Sequence, residues 1–321
     1  MGEFDLIARI RARCPSRHDV LLGIGDDAAM LQVPPGQALC VSMDTLIAGV
    51  HFPLQTAAPD VGWKALAVNL SDLAAMGSKP LWATLALSMP EPDETWLDGF
   101  LDGFLALAES EGVALVGGDT TRGPMSITVT IHGVVLPDQA LRRDAARVGD
   151  VIAVSGTLGD AAAGLLALPQ GGAACRWPEL RRRLDRPTPR LALGRYLAGR
   201  AHAGIDVSDG LLADLGHLLS ASRVGACLQL DALPTSDALR QAAPDTVQRH
   251  TLQCQGGDDY ELLFTLTDAA WLSLQAEAQR QGWQVTAIGR VEATTGLRLT
   301  LAGHHVDPPA RTGWDHFGAA T

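Results

Sequence analysis

Lysine is almost missing from this chain. Of its 25 basic residues only Lys64 and Lys79 are lysine and the rest are arginine, so any recognition of phosphate must lean on arginine, backbone amides or metal ions. Neither lysine follows a glycine, which excludes the G-x-x-x-x-G-K-[ST] phosphate loop. No H-R-D catalytic segment of the protein-kinase type occurs either. Cysteine is also sparse. Cys14, Cys40, Cys175, Cys227 and Cys254 are scattered with no C-x-x-C pair, which leaves neither a disulfide framework nor a zinc site and points to a reducing, cytoplasmic setting. No run approaches the ~18 apolar residues that a membrane span requires. The first ten residues, MGEFDLIARI, lack a signal-type apolar stretch, and Leu6 breaks the myristoylation pattern.

What is present reads as a globular protein. The 321 residues are 47% hydrophobic and 19% charged, enough for two domains that each bury a core. A formal net charge of −11 argues against nucleic acid or an anionic membrane as partner. Apolar periodicity predicts helices over 3–12, 59–77 and 93–112, with strands over 38–44, 82–89, 113–119 and 125–136. A polar, arginine-rich passage at 137–150 separates these from a second series. That series has strands at 151–156, 226–230, 260–266 and 283–291, and helices near 159–168, 189–201, 209–222 and 268–281. The expectation is an α+β fold of two α/β domains, 1–145 and 146–321.

The acidic residues are placed unusually. Asp26, Asp27, Asp44, Asp72, Asp119, Asp206, Asp209 and Asp258 each sit beside glycine or small residues, at the end of an apolar run or inside one. A buried carboxylate must protonate, pair or bind metal, and hard divalent cations with oxygen ligands would absorb such an excess. Each position also has a plain structural reading. Asp72 is a solvated helix position or a ligand, Asp44 a turn-starter or a strand-end ligand, and Ser208 or Asp209 a helix N-cap whatever else it does. The segment "GGDTTRGP" (117–124) is a turn, or a place where backbone approaches phosphate. His51, just after the Asp44 strand, is as readily a structural residue as a site residue. "VIAVSGTLGDAAAG" only imitates a dinucleotide turn, since G-x-x-G falls short of G-x-G-x-x-G.

Seven stretches, in order along nearly the whole chain, resemble the thiamine-monophosphate kinase family of the aminoimidazole-ribonucleotide-synthetase-like superfamily. They are "GIGDDAA", "VSMDTLIAGVHF", "KALAVNLSDLAAMGSKP", "LVGGDTTRGP", "GIDVSDGL", "GGDDYELLF" and "GWDHF". The resemblance implies ATP-dependent, magnesium-assisted phosphorylation of thiamine monophosphate to thiamine diphosphate, by direct in-line transfer with no general base. It implies metal ligands at Asp27, Ser42, the backbone of Met43, Asp44, Asp72, Asp119, Asp206 and Asp209. Gly118, Asp119, Arg143 and Ser208 would contact ATP, and His51, Asp258 and Trp314 would hold thiamine monophosphate. Asp258 stands where this family is expected to carry a longer Glu. A homodimer is implied, with the N-terminal sheets of two chains closing a barrel. The rival readings are another phosphorylating enzyme of the superfamily and a non-catalytic nucleotide-binding module.

Overall fold

The computed structural model describes residues 2–168 and 176–314; Cys175 and the 315–317 part of the last motif lie outside them. The chain divides into two compact units, one of Met1–Leu73 with Ser78–Gln139, the other of Ala74–Gly77 with Ala140–Thr321.

In the first unit a helix, α1 (Glu3–Ala12), precedes a short hairpin, β1 (Val20–Leu22) and β2 (Met30–Leu31). There follow β3 (Ala38–Ile47), α2 (Ala58–Ala75), β4 (Lys79–Met89), α3 (Glu94–Glu111), β5 (Ala114–Arg122) and β6 (Ser126–Val135). The last four strands form one open sheet in the order β3–β6–β4–β5. β6 runs antiparallel to both its neighbours, while β4 and β5 are parallel because α3 carries the chain back between them. β3 and β5 are the sheet's two edges.

α2 and α3 are apolar enough to bury most of their surface. Leu66, Leu70 and Leu73 of α2 and Leu97, Phe100, Leu101 and Phe104 of α3 are all at most 1% exposed. The helices touch backbone to backbone. A Cβ at Gly62 would stand 2.0 Å from the carbonyl oxygen of Phe100, and one at Gly103 would stand 1.7 Å from that of Pro59. Asp93 caps α3 by accepting from the Trp96 amide at 2.9 Å, and Gly112 ends it in the left-handed conformation.

The second unit begins with β7 (Val151–Ser155), α4 (Asp160–Leu166), α5 (Pro178–Asp185), α6 (Leu191–Leu197), β8 (Ala203–Val207), α7 (Leu211–Ser222) and β9 (Gly225–Gln229). It continues through α8 (Asp237–Ala242), α9 (Thr246–Gln255), β10 (Glu261–Leu266), α10 (Asp268–Gln281), β11 (Val285–Glu292), β12 (Gly296–Leu301) and β13 (His304–Val306). Its seven strands lie in the order β13–β12–β9–β11–β7–β10–β8. Among the described residues of this sheet only β12 and β9 pair in parallel. β7, β8 and β10 are buried along their whole lengths, which is why none of them shows an alternation of polar and apolar residues. Leu211, Leu212, Leu215, Leu218 and Leu219 of α7 join the same core as Ile205 and Val207 of β8.

Both units are therefore α/β with mixed sheets. The hairpin β1–β2, the short helices α5, α8 and α9, and the pair β12–β13 were not legible in the periodicity. α9, TVQRHTLQCQ, is a largely polar helix that starts on an Asp245 cap, so it lacks the apolar stripe that a sequence pattern detects.

Candidate functional site

In the first unit the loop 23–29 leads from β1 to β2. Asp26 and Asp27 are both exposed there, and Asp26 Oδ1 accepts the Asp27 amide at 2.9 Å. That local bond holds the loop's turn and leaves the Asp27 carboxylate clear of it. Asp27 lines a cleft of about 800 Å³ together with Thr84 of β4 and Gly117, Gly118 and Asp119 of β5. Gly118 has φ +150°, and a Cβ there would lie 1.8 Å from the Leu85 carbonyl oxygen. Only glycine lets β5 pass this close to β4 while its backbone stays open to the cleft. The structure thus brings Asp27, Gly118 and Asp119 together.

A second group forms between β3 and α2. The Ser42 hydroxyl donates to Asp72 Oδ2. The Asp44 amide donates to Asn69 Oδ1 at 3.1 Å, and Asn69 Nδ2 donates to the Ala65 carbonyl at 3.0 Å. Asn69 and Asp72 are three residues apart on one face of α2. Asn69 is fully buried and Asp72 half-buried, so Asp72 is no ordinary solvated helix position. The spacing of Asn69 to Asp72 is legible in the sequence as one turn of the same helix face, while its bond to the Asp44 amide is not. Strand alternation sends the Met43 side chain, 62% exposed, to the opposite face. Where β3 ends, His51 Nδ1 accepts the Ile47 amide at 2.9 Å. That bond puts the proton of the neutral ring on Nε2.

In the second unit the site residues gather where β8 runs into α7. Asp206, 3% exposed, lies in β8 opposite Leu262 of β10. Oδ2 of Asp214 accepts the amides of Ser208, Asp209 and Gly210 at 3.0, 3.1 and 3.1 Å. The Asp258 amide donates to the Ser208 carbonyl, and that of Tyr260 to the Val207 carbonyl, both at 2.8 Å. The Trp314 amide donates to the Asp209 carbonyl at 2.9 Å. Asp206, Ser208, Asp209, Asp258 and Trp314 therefore surround one short loop. Arg143 is exposed on the strand-free stretch before β7, its carbonyl accepting the Ser222 hydroxyl at 2.7 Å.

Asp258 and Tyr260 hold left-handed backbone conformations, φ +69° and +50°, unusual for residues other than glycine. Neighbouring bonds hold this strain. The Tyr260 hydroxyl donates to Asp258 Oδ1 at 3.1 Å. Between them, buried Asp259 accepts the Gly159 amide at 2.7 Å. Glu261 next to it is fully buried and takes both Arg183 and Arg190 as partners. Burial pushes the Asp259 carboxyl up to about 8, against the pull of Arg183 and the Gly159 amide. Burial, then the charge of Asp209, raises Asp214 to about 7, against its three amide donors. Sequence reading passed over Asp214, Asp259 and Tyr260, because each looks like an ordinary helix or strand residue beside a more conspicuous acid.

Among the described residues no three His, Cys, Asp or Glu side chains converge on one cation position. The donors are nonetheless oxygens only, Asp27 and Asp119 in one cleft and Ser42 against Asp72 in another group. That chemistry suits magnesium, which takes one or two carboxylates and fills its remaining positions with water and phosphate oxygens.

Residues 25–135 match the family model of AIR synthase related protein, N-terminal domain, and residues 147–302 that of AIR synthase related protein, C-terminal domain. These two modules in tandem define the class of protein. The chain is 46% identical to thiamine-monophosphate kinase of Salmonella typhimurium, covering 98% of both chains. A crystal structure of thiamine-monophosphate kinase from Stenotrophomonas maltophilia K279a is 51% identical, with a TM-score of 0.87 over 95% of this chain and 98% of that one. A further structure, AaThiL complexed with AMPPCP and TMP, is 34% identical, with a TM-score of 0.78 over 98% of this chain and 97% of that one. The chain belongs to the thiamine-monophosphate kinase family.

Proposed function

We propose that this protein is a thiamine-phosphate kinase that transfers the γ-phosphoryl group of ATP to thiamine monophosphate, giving thiamine diphosphate and ADP as the last step of thiamine diphosphate biosynthesis. The observation that carries this reading is the full-length similarity to a relative solved with AMPPCP and TMP. Asp27, Ser42, the Met43 backbone, Asp44, Asp72, Asp119, Asp206 and Asp209 are the proposed magnesium ligands. Magnesium bound there would neutralise phosphate oxygens and let the acceptor approach in line.

The chain's own groups support this. Gly118 presents backbone where a phosphate can come close, beside Asp119. Ser42 and Asn69 fix Asp72 and the Asp44 backbone before any ligand arrives, which lowers the cost of assembling the site. A phosphate monoester oxygen needs no general base once its charge is screened, so an acid-rich site without a His–Asp base pair is sufficient. Ser208 and Arg143 are assigned to ATP, with Arg143 supplying charge that the lysine-poor composition otherwise withholds. His51, Asp258 and Trp314 are assigned to the substrate, Trp314 through stacking of its exposed indole on a heteroaromatic ring.

The N-terminal domain, 1–145, is proposed to bind metal and ATP and to dimerise; 146–321 is the C-terminal α/β domain. Edge strand β3 exposes Leu39, Val41 and Met43 in alternation, which supports a homodimer whose N-terminal sheets close into a barrel. The setting is taken to be the cytoplasm. The test is a magnesium-dependent assay with ATP and thiamine monophosphate. Stoichiometric thiamine diphosphate and ADP are expected; ADP without thiamine diphosphate would overturn the acceptor assignment.

A further inference from the structure

α1 places three arginines at its C-terminal end, and two of them are already engaged. Arg9 donates to Asp98 and Glu94, and Arg13 to Asp102 and the Asp98 carbonyl. Four residues apart, they lie on one face of the helix and both reach α3. Arg11 is two positions on from Arg9, about 200° around the helix, and looks the other way. Its guanidinium lies against the 23–29 loop, so that a Cβ at Gly25 would stand 2.5 Å from Nη1.

That orientation puts Arg11 on the wall of the cleft that holds Asp26, Asp27, Gly118 and Asp119. It is the one Arg, Lys or His among the described residues lining that cleft. Three carboxylates share the wall with it, yet Arg11 forms no ion pair or side-chain hydrogen bond among the described residues. An arginine in an acid-lined concavity would ordinarily pair with one of those carboxylates. Here one oxygen of Asp26 is taken by its own loop, and the guanidinium rests against Gly25 at the cleft wall. Five N–H donors in a planar fork suit the oxygens of a polyphosphate better than a metal or a sugar.

We infer that Arg11 is a phosphate ligand for the nucleotide, gripping the polyphosphate chain from α1 while Asp27 and Asp119 face it from the loop and β5. This rests on the proposed reading of Asp27 and Asp119 as residues of the ATP and metal site. It adds a cation to a site whose other assigned residues in this unit are acidic or neutral.

The experiment uses the full chain with Arg11→Ala, Arg11→Lys and, separately, Asp119→Asn. AMPPCP binding with magnesium is measured by calorimetry, and KM is measured for ATP and for thiamine monophosphate. Arg11→Ala is expected to weaken AMPPCP binding and raise KM for ATP by roughly tenfold or more, with KM for thiamine monophosphate and the melting temperature essentially unchanged. Arg11→Lys should recover part of the loss, since charge returns without the fork. A merely structural Arg11 would lower the melting temperature and leave AMPPCP affinity alone, and that result overturns the inference. So does a change confined to KM for thiamine monophosphate. If Arg11→Ala binds AMPPCP normally while Asp119→Asn does not, Arg11 is excluded and the site reading stands. If Asp119→Asn is also normal, the site reading itself fails.

Discussion

The amide of Asp209 donates a 3.1 Å hydrogen bond to Oδ2 of Asp214, five residues on, and the same oxygen takes the amides of Ser208 and Gly210. One buried carboxylate oxygen thus fixes the backbone beneath two proposed ligand residues. Asp214→Leu removes the acceptor and leaves three amides unanswered, at about 1–3 kcal/mol for each that stays buried. Asp214→Asn keeps an oxygen in place. Urea unfolding should show the Leu variant less stable by several kcal/mol, while the Asn variant stays within about 1 kcal/mol of the parent and retains most of its turnover. Equal stability of the two variants would remove the three-amide cradle from the explanation.

The Ser42–Asp72 bond gives a graded pair of variants. Asp72→Asn should abolish turnover with circular dichroism unchanged, since the proposed metal role needs the charge. Ser42→Ala keeps the carboxylate but frees its orientation and removes one proposed metal ligand, and should lower kcat about 10–100-fold. Near-normal kcat in Asp72→Asn would sink the metal role, whatever Ser42→Ala does.

Asp259 sets a pH dependence of stability. Its carboxyl lies near 8 in the folded chain against 3.8 when unfolded, so the folded state holds the proton more tightly. The stability contributed by that proton is complete below about pH 4 and is lost as pH rises through about 8. Asp214, raised to about 7, acts in the same direction. Melting temperature should therefore fall as pH rises from 6 to about 8 and level off above it, and Asp259→Asn should flatten part of that slope. Parallel curves for the parent and the variant would exclude Asp259 as the source.

Edge strand β3 offers a test of assembly. Val41, 56% exposed between Leu39 and Met43, can be changed to Glu without touching the buried face. If β3 forms the proposed dimer interface, a charge there should convert the proposed dimer to a monomer by light scattering, with the melting temperature no longer rising with protein concentration. A monomeric parent would remove the barrel proposal at once.

Part of this site was visible in one dimension. The acids of "GIGDDAA", "GIDVSDGL" and "GGDDYELLF" advertise themselves because carboxylates at the ends of apolar runs are costly without a purpose. Asp214 and Tyr260 stayed hidden because their role depends on which backbone amides and carboxylates fold back to meet them. Asn69 is an intermediate case: its spacing to Asp72 is in the sequence, but its bond to the Asp44 amide requires α2 to lie beneath β3.

The sequence by itself determined the lengths of α2, α3 and α7, the strands between them, the two-domain α/β class and the family, because apolar periodicity and glycine-flanked acids are local signals. Tertiary structure alone decided that Asp27 and Asp119 share a cleft, that Ser42 locks Asp72, and that Arg11 lines that cleft while Arg9 and Arg13 reach α3. Those relationships depend on strand order and helix rotation, which arise from packing between segments far apart in the chain.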